Sequence, residues 1–209
     1  MTIYDITRTT QMGRTAEWPG DVPFSFQRTA QMAEGASVNL TAITLSPHVG
    51  THADAHYHYS DDGEHPDQMP LVPFIGRARV ISIPRERGAF TVEELGERVR
   101  GAERLLIHTP HSESDLSIFP LEFPYFAAAA ADWLGACGVQ LIGVDVPSVD
   151  HLTSKDLIGH HTLYRHRIVI VESLTLAGVP DGDYELIALP LKIADVCATP
   201  VRAILRDLR

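Results

Sequence analysis

Thiols are scarce in this chain. Among 209 residues only Cys137 and Cys197 carry them, in GACGV and DVCAT. Neither belongs to a CxxC pair, so both read as small buried hydrophobes and a disulfide framework is not expected. A reducing, cytoplasmic setting fits that count. Long apolar runs are missing as well. The longest, FAAAAADWLGACG, is broken by Asp132 and is too short to span a bilayer. The opening MTIYDITRTTQMGRT has no apolar h-region, so no secretion signal is expected. Positive charge is also in deficit, with 17 Lys and Arg against 27 Asp and Glu and a net charge of -10. Phosphate binding needs a basic face, so nucleic acid is not the expected partner. There is no GxGxxG and no GxxxxGK[ST], which removes the dinucleotide and P-loop readings. No internal repeat, low-complexity tail or linker breaks the chain.

What remains is an ordinary globular composition, 44% hydrophobic and 21% charged, over a length that suits one domain, residues 1–209. Strand-like stretches are short and many. Residues 3–7, 24–29 and 38–45 alternate apolar and polar. ARVISIP, RLLIHT, QLIGVDVP, RIVIVESL, YELIALPL and VRAILRD read as strands whose apolar runs imply cover on both faces. Thr91 and Glu94 form a capping box before VEELGERVR. A second helix is predicted from Phe123 to Gly135, and a helical turn near Ser154–Ile158. The fold class is therefore α/β or α+β with a mixed sheet, without a regular βαβ repeat.

The chemistry concentrates in SPHVGTHADAHYHYSDDGEHP, residues 46–66, which holds five of the eleven histidines. His48, His52, Asp54 and His58 are spaced four, two and four apart. No single regular element puts all four on one face. A strand end passing through Gly50 and Thr51 into a turn or short helix is the simplest solution. Imidazole plus carboxylate suits zinc, manganese or iron rather than calcium or magnesium. Three protein ligands would leave the open position of a catalytic site. A second metal would need donors from GHHTLYRHRIVIVES, where Glu172 interrupts an apolar run that has no use for an unpaired carboxylate. Spacing leaves His58 open as proton shuttle, ligand or partner of a ligand. His56, His65, His161 and His166 are read as structural. His108, His111 and His151 carry no specific signal, and Asp61, Asp62 and Glu64 read as a solvated turn.

HVGTHADAHYH, residues 48–58, resembles the HxGTHxDxxxH signature of the cyclase-like metal-dependent hydrolases. WPGD (18–21), GVDVPSVD (143–150) and GHH followed by VIVESL (159–174) are similar to further segments of that family, over nearly the whole chain. The resemblance implies a compact mixed-sheet swivelling β/β/α domain and a homodimer. It implies two divalent metal ions per subunit, usually zinc, with manganese in some relatives. His48, His52 and Asp54 would hold one ion, and Asp54, His160 and Glu172 the other, with Asp54 bridging. His58 would move the proton and Trp18 would contact an aromatic substrate. The length, the Trp18 segment and DVPSVDHLTSKDL look most like the branch that hydrolyses N-formyl-L-kynurenine to L-kynurenine and formate in tryptophan degradation. The expected partner is thus a small aromatic formamide, and neither nucleic acid nor membrane. Hydrolysis of isatin or a similar aryl amide is the alternative, and a metal-binding protein without turnover the third reading.

Overall fold

The computed structural model describes residues 1–208. Thirteen strands and three short helices follow in chain order: β1 (Ile3–Asp5), β2 (Ser25–Ala30), β3 (Leu40–Thr44), β4 (His52–Asp54), β5 (Ile75–Ser82), β6 (Gly88–Phe90), α1 (Val92–Leu95), β7 (Arg104–His108), β8 (Pro124–Phe126), α2 (Ala128–Ala136), β9 (Leu141–Val144), α3 (Ile158–Arg165), β10 (Val169–Glu172), β11 (Gly182–Ile187), β12 (Ala198–Pro200) and β13 (Ile204–Asp207). Nine strands form one sheet in the order β1-β13-β11-β5-β7-β9-β10-β4-β12. Its middle, β5-β7-β9-β10, is parallel and both flanks are antiparallel. The predicted mixed sheet is present.

The sheet must curl. β12 ends at Pro200 and β13 starts at Ile204, yet they stand ninth and second in strand order. Seven flat strand spacings would cover roughly 33 Å, whereas four residues reach about 14 Å at most. Bridges Thr7↔Leu174 and Pro190↔Val201 fasten the curled edges.

Alternation along the central strands feeds two cores. Leu105, Ile107, Ile142 and Ile170 face a layer containing Leu95, Ala131, Leu134 and Leu163 from the three helices. Leu106, Leu141, Val169 and Val171 face the inside of the curl with Val80, Leu186 and Leu205. The runs of β7, β9 and β10 are covered on both faces, which is why they do not alternate with polar residues, whereas β5, β11 and β13 leave part of their length open.

Three local expectations shift. The Thr91–Glu94 capping box is present, but only Val92–Leu95 is α-helical, and Gly96–Val99 tightens to 3-10. The second helix starts at Ala128, because Pro124–Phe126 pairs as a strand with β6. The turn at 154–158 leads into a full helix, α3, absent from the sequence reading. Its first N–H groups have no local cap. The carboxylate of Asp150, from the loop after β9, accepts from the amides of Gly159 (2.8 Å) and His160 (2.9 Å) instead. A side chain at Gly159 would place its Cβ 2.6 Å from the Val149 carbonyl, so this close approach needs glycine. No helix among the described residues is long and apolar enough to cross a membrane.

Candidate metal centre

Residues 47–51 turn before the short strand β4, so the order is turn, strand, 3-10 turn. The predicted strand end lies after Gly50 and not before it. Gly50 takes φ +75°, and a Cβ there would lie 2.6 Å from Thr10 Oγ1. His52 and Asp54, two apart on β4, share one side of the strand. The antiparallel register sets Glu172, the last residue of β10, opposite His52. The N-terminal turn of α3 delivers His160 to the same point.

The five predicted donors therefore meet. Asp54 Oδ1 lies 3.3 Å from both His48 Nδ1 and His52 Nε2, and Oδ2 lies 3.3 Å from His160 Nε2. Glu172 Oε2 is 3.3 Å from His52 Nε2, and Oε1 is 3.7 Å from His160 Nε2. Asp54, His52, His160 and Glu172 are buried and His48 is half-buried. Both oxygens of Asp54 are buried without any aligned hydrogen bond. Such a carboxylate is costly unless a cation balances it.

Each ring is held from behind. His52 Nδ1 donates to the Gly50 carbonyl (3.0 Å) and His160 Nδ1 meets Asp150 Oδ2 (2.6 Å), which turns Nε2 of both inward. His48 is reversed: Nδ1 points inward and Nε2 meets Cys197 Sγ at 3.3 Å. Glu172 Oε1 accepts from the Val149 amide (2.9 Å). Rings oriented from outside in this way are the habit of metal-ligating histidines.

The electrostatics agree. Burial opposes charge on His52, but Asp54 and Glu172 outweigh it and lift the ring to about 10. His160 rises against burial to about 10 through Asp150 and Asp54, and His48 to about 9 through Asp54 and Cys197. Burial would raise Asp54, yet His160, His48 and His52 hold it well below the usual carboxylate range. The pocket thus demands positive charge beside Asp54. A divalent cation would supply it. A set of three imidazoles and two carboxylates fits such an ion.

His58 stands exposed at the mouth. Its ring centroid is 4.2 Å from that of His48 and 5.9 Å from that of His160. One of its nitrogens lies within 4.8 Å of donor atoms of Asp54 and His160, and likewise of His48 and Cys197. Trp18 lines the adjoining cavity of about 320 Å³, edge-on to Phe119 at 5.4 Å. Ile118, Phe119 and Pro120 add apolar wall, while Phe123 and Phe126 pack the core. The other histidines serve elsewhere. His56 is buried against Glu64 (2.6 Å), so Glu64 is not simply solvated. His65 meets the Val196 carbonyl, His166 ties α3 to Asp132, and His161 is exposed beside Tyr59.

Two residues escaped the sequence reading. Asp150 orients His160 and caps α3, and lay in a segment noted only for its resemblance. Cys197 is half-buried rather than buried, and contacts with His48 and then His58 lower its thiol to about 6.

Comparison with known proteins places this arrangement. Residues 4–151 match the family model "Putative cyclase", and the chain belongs to that cyclase family. It is 43% identical over 194 residues to a kynurenine formamidase of Bacillus cytotoxicus, and 42% identical over 193 residues to one of Bacillus anthracis. Each alignment covers 92% of both chains. A solved structure described as a potential metal-dependent hydrolase with cyclase activity superposes with TM-score 0.84 at 25% identity, over 100% of this chain and 98% of the other. Isatin hydrolase A of Labrenzia aggregata shares the fold, with TM-score 0.83, 22% identity, and 98% and 93% coverage.

Proposed function

We propose that this chain, acting over residues 1–209 as one unit, hydrolyses N-formyl-L-kynurenine to L-kynurenine and formate. The observation that carries the reading is the buried, unpartnered carboxylate of Asp54, faced by three imidazoles and flanked by Glu172. The kynurenine formamidases that match at 42–43% identity over 92% of the chain supply the substrate.

His48, His52 and Asp54 would hold one divalent ion, and Asp54, His160 and Glu172 a second, with zinc the ion of choice for this donor set. Ions held there lower the pKa of water and polarise a carbonyl. The rest falls to the chain. His52 and His160 keep their inward nitrogens aimed by Gly50 and Asp150. Trp18 and Phe119 offer flat apolar faces to the aryl ring, worth roughly 0.5–1.5 kcal/mol beyond burial. His58 touches the centre on one side and solvent on the other. It takes a proton from the attacking water and returns one to the amide nitrogen as the arylamine leaves.

The exposed β2–β3 ribbon, carrying Phe26, Leu40 and Ile43, supports a homodimer, since such apolar surface is normally covered. The two thiols are free, in keeping with a reducing cytoplasm. The test is direct: purified protein is assayed with N-formyl-L-kynurenine and with isatin, before and after chelation, with metal content measured. Formate release that depends on metal is expected. Turnover of isatin alone, or activity surviving complete metal removal, would overturn the reading.

A further inference from the structure

Arg8 lies beside the centre and nothing in the metal chemistry uses it. Its amide donates to Thr51 Oγ1 (2.9 Å), which ties it to the strand that carries His52. Its guanidinium is fixed on the two strand ends nearest the site: Nε donates to the Leu174 carbonyl (3.1 Å) and Nη2 to the Asp145 carbonyl. A guanidinium has five N–H donors. Protein acceptors take two, which leaves Nη1 and one N–H of Nη2 free, and Arg8 lines the cavity that holds Trp18 and His58.

The charge is unmatched as well. Arg8 forms no ion pair among the described residues. The carboxylate whose charge acts on it, Asp145, spends its oxygens on Thr109 and Ser112. Burial pulls the guanidinium below its ordinary pKa, and the field of Asp145 offsets this only in part. A fixed, desolvated fork with one open edge is the arrangement that recognises carboxylate bidentately. Asp21, the other charged residue of this wall outside the metal donors, has the opposite sign. The wall therefore offers both charges that a zwitterionic amino-acid head carries and that neutral isatin lacks.

We propose that Arg8 is the carboxylate subsite of this cavity, binding the α-carboxylate of an amino-acid formamide whose amide lies at the Asp54 centre. The proposal rests on the formamidase reading for its substrate. It is tested with two aryl formamides, N-formyl-L-kynurenine and formanilide, the latter lacking the amino-acid head. In Arg8→Met the ratio of kcat/KM for the first over the second should fall roughly 100-fold, chiefly through KM, as for loss of one partner of a desolvated charge pair. Arg8→Lys should restore part of it, and metal content should match wild type. An unchanged ratio would overturn the proposal, because a structural or oxyanion role would slow both substrates alike. Calorimetric binding of L-kynurenine reads the same contact without turnover. Equal affinity in wild type and Arg8→Met would also overturn it. A wild type inactive on both formamides would sink the formamidase reading, while the binding experiment would still decide the subsite.

Discussion

Replacing Glu172 by Gln separates the metal site from the fold. The Val149 amide donates to Glu172 Oε1 at 2.9 Å, and in Gln only the carbonyl oxygen can accept that bond. The new NH₂ must then occupy the position of Oε2, 3.3 Å from His52 Nε2. Without metal, Glu172 is one of the carboxylates that lift the His52 ring, and the variant removes one partner of that buried pair. The metal-free variant should therefore be less stable than metal-free wild type, so the shift on adding zinc, and not the absolute Tm, reads the site. Toward a cation, the variant presents a donor where a carboxylate oxygen stood. Loss of an outer partner of a ligand costs 10–100-fold in affinity, so loss of a ligand should exceed about 100-fold. An ion at 100 times its Kd adds about 2.7 kcal/mol to stability, or about 5.4 kcal/mol for two ions. At about 2–4 °C per kcal/mol for a chain of this size, zinc should raise the wild-type Tm by roughly 11–22 °C and that of the variant by about half as much. Calorimetry with and without zinc, together with metal analysis, measures both. Two ions per chain and an undiminished shift in Glu172→Gln would remove Glu172 from the site.

His58→Ala should keep its metals and lose about 10²–10⁴ in kcat, the range of a general acid–base group; metal lost in step with activity would make His58 a ligand. Asp150→Asn cannot accept from Gly159, the His160 amide and His160 Nδ1 at once. Its metal affinity should fall 10–100-fold by equilibrium dialysis, and an unchanged value would deny Asp150 its orienting role. Gly50→Ala at φ +75°, with Thr10 Oγ1 in its way, should lose about 1–3 kcal/mol in urea unfolding. The Arg79 fork and a single bond from Arg77 lower Asp183 to about 2. Its contribution is therefore present above the ordinary carboxylate pKa near 3.9 and is lost as pH falls through about 2. As a partly exposed pair it is worth under about 1 kcal/mol. In Asp183→Asn the acid dependence of stability between pH 4 and 2 should be shallower, and an unchanged slope would dismiss the pair.

Much of the site was legible because its donors sit in two short segments where a buried-looking strand carries groups that strands do not want. His52, Asp54 and Glu172 announce themselves in that way. The mixed sheet was legible from its β-branched runs, but its curl was not, since closure depends on β12 landing at one edge and β13 next to the other. Helix α3 was missed because its cap comes from Asp150, eight residues before its first helical residue, and not from a local Ser or Thr. Helix α2 was placed early because Pro124–Phe126 looks apolar enough for a helix until β6 pairs with it. Cys197 and Arg8 gave no local sign: a lone thiol and a lone guanidinium declare a role only when long-range packing strips them of water.

The pairing of His52 with Glu172 joins positions 120 residues apart, the sort of contact whose loop-closure entropy delays it in folding. Side chains on a strand change face with every one-residue slip. A chain that paired β4 against β10 one position out of place would carry Glu172 away from His52 and leave Asp54 facing a half-built site. Capture of both ions would then fail even though strand content looked native. A centre that held its ions between these residues would thus be a proofreader of topology: it would fill only in chains whose β4 and β10 had met in the right register, and its occupancy would count those molecules.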